Sequence, residues 1–188
     1  MKNSGDGFLL DKAAAFAAKA HLGQVRKGTD IPYISHPYAV GLILQGARCR
    51  EEVVAAGILH DLLEDTAVNL EQIQKEFGPE VAAIVEGCSE PEHNELPWET
   101  RKEHTINYLK SAPVEIRMVA CADKLHNVRS MLVDYQQAGE ELWKRFKRGR
   151  EKQEWYYRGL AASLGNELNS PELERIYRQY EMAVGELF

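Results

Sequence analysis

The most constraining feature of the chain is the run VVAAGILHDLLED at positions 53–65. There an apolar stretch passes without a break into His60, Asp61, Glu64 and Asp65. A helix that is apolar nearly all round belongs inside a larger helical body. At about 100° per residue, the four ionisable side chains fall within an arc of about 140°, while Leu62 and Leu63 point elsewhere. Carboxylates at the end of a core helix are costly unless something positive pairs with them. A divalent cation would satisfy the cluster. The alternative is a solvated acidic last turn, which the helix dipole disfavours by about 0.3–1 kcal/mol.

The rest of the chain agrees with a helical body. No Asn-Gly or Asp-Gly turn joins two alternating runs, and helical periodicity dominates. Helices are expected over 11–21, from Pro37 to about 47, and over 51–65. Asn69 is a plausible N-cap for a short helix ending at Phe77-Gly78, after which Pro79 opens another through Glu86. Residues 23–33 and 87–96 read as loops. Pro97 opens a helix towards Lys110, Pro113 one towards Tyr135, and Ser170-Pro171 the last of two or three more. The expected architecture is an all-α, single-domain helical bundle over 1–188.

The 188 residues suffice for one core, and the formal net charge of −6 argues against duplex DNA or an anionic membrane as partner. Cys49, Cys88 and Cys121 form no CxxC pair, and the polar start of the chain offers no secretory signal. A cytoplasmic protein is expected. Trp143, Phe146, Trp155, Tyr156 and Tyr157 read as packing residues of the C-terminal helices, with a homo-oligomer contact as the alternative.

Two further places carry chemistry. Asp123, Asn127 and Ser130 follow i, i+4, i+7 spacing and form one polar stripe, opposite Cys121, Leu125, Val128 and Leu132. Ile116 and Val119 lie on the Asp123 side one and two turns earlier, so that side is covered upstream. His36, after Tyr-Ile-Ser, is a weak signal alone and serves equally as a helix cap or core histidine.

Together the segments AHLGQVRKGTDIPYISHP (20–37), AAGILHDLLEDT (55–66), FGPEVAAIVEG (77–87) and ADKLHNVRSM (122–131) resemble the HD-domain metal phosphohydrolases. The match is closer to one branch, the hydrolase domain of the RelA/SpoT alarmone enzymes and their stand-alone small relatives. The resemblance covers about 8–135 and leaves about 136–188 as a helical extension. It implies an HD-type bundle in which His36, His60, Asp61 and Asp123 ligate a divalent ion, usually Mn²⁺. It makes Glu64 and Asp65 the acidic pair used in catalysis. Arg26 or Lys27 would pack on the nucleotide base, and Asn127 and Ser130 would contact the nucleoside. The loop after Arg26 is one residue longer than in the large bifunctional enzymes, so Arg26 and Lys27 both remain candidates. Cys88, Ser89 and Glu90 stand where those enzymes carry a Thr-Lys, whereas 95–105 is similar to the stand-alone hydrolases.

The implied activity is metal-dependent removal of the 3′-diphosphate from ppGpp or pppGpp. The alternatives are an HD-type nucleotidase or NADPH phosphatase, and a non-catalytic nucleotide-binding regulatory module. Arg129 and Lys124 are further cation candidates, while the charged WETRKEH segment at 98–104 reads as a solvated helix face.

Overall fold

The computed structural model describes residues 6–90 and 96–188. Its centre is α3 (Glu51–Leu59), in which every residue from Val53 to Leu59 is buried. α1 (Asp6–Ala20), α2 (Ser35–Gly46), α5 (Leu70–Cys88) and α7 (Val114–Ala138) all pack against it. Two glycines let α2 and α3 approach closely. A Cβ on Gly57 would lie 2.2 Å from Leu44 Cδ1, and one on Gly41 would lie 2.7 Å from Ile58 Cγ1.

The helix expected over 51–65 is interrupted. α3 stops at Leu59, and a single turn, α4 (Leu62–Asp65), resumes after His60 and Asp61. Both intervening residues keep right-handed helical dihedrals. The break has a local cause: the His60 imidazole takes the carbonyl of Gly57 at 2.8 Å, the oxygen an unbroken helix would offer to the Asp61 N–H. Asp65 N–H then bonds Asp61 O at 2.9 Å and closes the short turn.

Asn69 caps α5 in a full capping box with Gln72. The two helices expected around Gly78-Pro79 abut to form α5. Gly78 sits between them at φ 87°, a region open to glycine, and marks a kink. The loop expected over 87–96 starts later, because Gly87 and Cys88 complete α5; its residues 91–95 lie outside the described residues. α6 (Trp98–Tyr108) and α7 follow Pro97 and Pro113 as expected.

A 3₁₀ segment (Gly139–Arg145) leads into α8 (Gly149–Leu164) and α9 (Pro171–Leu187). Ser170 caps α9 by accepting the N–H groups of Glu172 and Leu173. α9 buries Leu173, Ile176, Tyr177, Tyr180, Ala183, Val184 and Leu187, one face at helical spacing, and lies along α7. The C-terminal helices therefore share the core that surrounds α3, which runs from Ala13 to Leu187. Among the described residues there is no strand, only an isolated bridge between Val25 and Pro32. The fold is all-α.

Candidate active site

The α3–α4 break aims His60 and Asp61 at the first turn of α2 and the middle of α7. Nitrogens of His36 and His60 and a carboxylate oxygen of Asp61 all lie within 4.8 Å of one another. His60 Nε2 is 3.0 Å from Asp61 Oδ1, and His36 Nε2 is 3.6 Å from Asp61 Oδ2. Asp123 Oδ1 reaches into the same space, 3.1 Å from His36 Nε2 and 3.8 Å from His60 Nε2. His36, His60 and Asp123 are buried.

Each of these groups is oriented from behind. A carbonyl only accepts, so His60 Nδ1 carries the proton bonded to Gly57 O, and Nε2 is the ring nitrogen turned to the cluster. That Nε2 is buried and has no hydrogen-bond partner. His36 Nδ1 is 2.7 Å from His126 Nδ1. The Tyr33 hydroxyl donates to Asp61 Oδ2 at 2.6 Å. Asn127 Nδ2 donates to Asp123 Oδ1 at 2.6 Å, Lys124 Nζ pairs with Asp123 Oδ2 at 2.6 Å, and Arg26 Nη2 donates to Asn127 Oδ1 at 3.1 Å.

The electrostatics show a cluster that favours positive charge. Burial opposes a charged His60, but Asp61 and Asp123 outweigh it and raise the imidazole to about 9. Burial also works against the Asp61 carboxylate, yet His60 pulls it down to about 2. For Asp123 the same burial is outweighed by Lys124 and the histidines, which hold it well below the usual range. Two imidazoles and two carboxylates, one imidazole with an orphaned buried nitrogen, make a donor set that fits a divalent first-row ion.

A cavity of about 490 Å³ opens from the cluster towards α6. Glu64, Lys124, Ser89, Lys102, Thr105 and Tyr108 line it beside His60, Asp61 and Asp123. Burial raises the Glu64 carboxyl, and the Glu90 N–H offsets only part of that rise. The acidic pair is thus divided. Glu64 faces the cavity, whereas Asp65 is exposed, lies outside its lining, and offers its main-chain oxygen to Gln24 Nε2 at 2.7 Å.

The basic pair is divided as well. Arg26 sits over the Tyr33 ring at 5.9 Å and reaches Asn127. Lys27 is exposed and lines a separate cavity of about 440 Å³ with Trp98, Arg101 and Arg148. Ser130 turns its hydroxyl back to His126 O at 3.0 Å. Arg129 reaches away, to Gln179 on α9.

The expectation of a solvated 98–104 segment needs correction: Lys102 and His104 line the main cavity, and Arg101 and Lys102 both pair with Glu90. The roles of Tyr33, His126 and Glu90 were not legible in the spacing, because each acts through a partner distant in sequence.

The HD-domain family model matches residues 13–154. A Xenopus tropicalis protein named guanosine-3′,5′-bis(diphosphate) 3′-pyrophosphohydrolase MESH1 is 37% identical over 131 residues, 68% of this chain and 72% of that one. A Haemophilus influenzae guanosine-3′,5′-bis(diphosphate) 3′-pyrophosphohydrolase is 37% identical over 121 residues, 61% of this chain. This chain spans only 17% of the length of that relative, and likewise 17% of a probable enzyme of the same name from Synechocystis. Among solved structures, lmo0812 from Listeria monocytogenes superposes with a TM-score of 0.76 at 38% identity, covering 81% of this chain and 98% of that one. A metazoan SpoT orthologue, described as hydrolysing ppGpp with a role in starvation responses, superposes with a TM-score of 0.71 at 26% identity, covering 95% and 97%.

Proposed function

The chain belongs to the HD-domain family, and on that premise we propose that it is a metal-dependent phosphohydrolase removing the 3′-diphosphate of ppGpp or pppGpp. The observation that carries this reading is the convergence of His36, His60, Asp61 and Asp123 beside Glu64, on a cavity walled by Lys102 and Lys124. The names of the relatives support the choice of substrate.

We assign the four converging residues as ligands of a divalent ion, with Mn²⁺ as the resident metal. When bound, such an ion acidifies water and offsets phosphate charge as a Lewis acid. Glu64 orients the attacking water and accepts its proton, a role worth about 10²–10⁴-fold. Burial raises its affinity for a proton, the direction that strengthens a carboxylate as a base. Asp65, outside the cavity, supports the α4 turn. Lys102 and Lys124 face the phosphates, while Arg26, with Asn127 and Ser130, faces the nucleoside; Lys27 lies farther out. Water is consumed, the O3′–P bond breaks, and diphosphate leaves with GDP from ppGpp or GTP from pppGpp.

No helix among the described residues is long and apolar enough to cross a membrane. We read the protein as cytoplasmic, as one domain over 1–188, and as having a small nucleotide rather than duplex nucleic acid as its partner.

The test is product release from ppGpp, pppGpp, NADPH and deoxynucleoside monophosphates by the Mn²⁺-loaded protein, with and without chelator. Chelator-sensitive diphosphate release from the first two alone is expected. Monophosphate release from another substrate would reassign the protein as a nucleotidase or NADPH phosphatase. Binding without turnover would make it a regulatory module.

A further inference from the structure

The Glu64 carboxylate is tied to a residue far along the chain. Its Oε1 accepts the main-chain N–H of Glu90 at 2.6 Å, across 26 residues of sequence. Glu90 follows the end of α5, and its carboxylate turns the other way, towards α6. There it pairs with Arg101 and Lys102 and accepts the Thr105 hydroxyl at 3.3 Å. Burial would raise the Glu90 carboxyl, but Lys102, Lys124 and Arg101 outweigh it and keep the group charged. One residue thus grips Glu64 with its backbone and three residues of α6 with its side chain.

This link matters because α6 is weakly rooted. It contributes no fully buried residue. Its outer attachment is to α8, through Trp98 against Tyr156 and through Ile106 O, which accepts the Ser163 hydroxyl at 2.7 Å. On the cavity side it supplies Lys102, Thr105 and Tyr108 to the wall that faces Glu64. Lys102 is placed between the Glu90 carboxylate and the Tyr156 ring, whose centroid is 5.1 Å from its Nζ. Moving Glu90 would therefore shift the Glu64 carboxylate and the cationic wall together.

We propose that Glu90 is a positioning residue that couples the Glu64 carboxylate to α6, so that the base and the phosphate-facing wall form one preorganised unit. The inference rests on the proposed role of Glu64. A reacting group held through a partner loses rate when the partner is lost, although binding groups remain.

The experiment uses the full-length, Mn²⁺-loaded protein and its Glu90→Gln and Glu90→Asp variants. Bound Mn²⁺ should be equal in all three. Glu90→Gln should lower kcat for ppGpp about 10- to 100-fold, with little change in KM, and Glu90→Asp, which keeps the charge, should recover part of the loss. Amide hydrogen exchange gives a readout independent of turnover: Glu90→Gln should speed exchange over residues 98–108, and Glu64→Ala should speed it at the end of α5. Unchanged exchange in α6 together with an unchanged kcat would overturn the proposal. If the wild-type protein releases no diphosphate, the assigned function fails, while the exchange measurement still decides whether Glu90 couples Glu64 to α6.

Discussion

The Nδ1 atoms of His36 and His126 lie 2.7 Å apart, a contact two imidazoles can make only if one donates and the other accepts. Burial lowers His126 to about 4, assisted by His36 and Arg26, so it is neutral at pH 7 and able to accept. For His36 to ligate a metal through Nε2, which faces Asp61 and Asp123, its proton must sit on Nδ1, with His126 accepting. His126 is thus placed to set the tautomer of His36, one of the four proposed ligands. His126→Ala should weaken Mn²⁺ binding about 10- to 100-fold, read by equilibrium dialysis. Wild-type affinity would remove His126 from this role.

Tyr33 does for Asp61 what His126 does for His36. Its hydroxyl donates to Asp61 Oδ2, and burial, with Asp61 close behind, raises the phenol far above its ordinary value. The phenol stays protonated and remains a donor throughout the working range. Tyr33→Phe removes one charge-assisted hydrogen bond, worth about 1.5–3 kcal/mol, and leaves the ring in place. Weaker metal binding with an unchanged fold is expected, measured by dialysis alongside circular dichroism. Unchanged Mn²⁺ affinity would mean that Asp61 is oriented by His60 alone.

The neighbouring carboxylates Glu64 and Asp65 should separate cleanly by mutation. Glu64 lines the cavity and Asp65 does not. Glu64→Gln should keep bound metal and lose about 10²–10⁴-fold in kcat, whereas Asp65→Asn should retain most of the turnover. The reverse order would move the base to Asp65 and require α4 to rotate when substrate binds.

Much of this site was legible in the sequence because two of its parts are written locally. His60-Asp61 and Glu64 ride at the end of an apolar helix, and Asp123 and Asn127 stand one turn apart on another; the structure bonds that second pair at 2.6 Å. The helix order followed from Asn69, Pro97, Pro113 and Ser170, whose chemistry starts helices whatever surrounds them, whereas α2 begins at Ser35, two residues before the Pro37 expected to open it. The break at His60 was not legible. It depends on a side chain competing for the Gly57 carbonyl, and periodicity is blind to that choice. The contribution of α6 was hidden for a different reason. A helix with no buried residue looks solvated in sequence, and only the fold brings Lys102 opposite Glu64.

Stability away from the site has its own test in Arg117, a buried arginine on α7. Its guanidinium donates to the carbonyl oxygens of Leu164 at 2.9 Å and Glu167 at 3.2 Å, and also to that of Asn166. These carbonyls close α8 and the turn into α9, where the last oxygens of a helix lack intrahelical partners and Glu167 is held at φ 52°. Arg117→Met keeps the apolar stem and removes every donor. Leaving the buried Leu164 carbonyl unpaired costs about 1–3 kcal/mol, and the bonds to the more exposed Asn166 and Glu167 carbonyls add to it, so a loss of about 3 kcal/mol is expected. For a chain of this size that corresponds to a fall in Tm of about 6–12 °C. Bound Mn²⁺ should survive at 25 °C, because Arg117 touches none of the four proposed ligands. An unchanged Tm by calorimetry would mean that water replaces the guanidinium and that α9 is held to α7 by its apolar face alone.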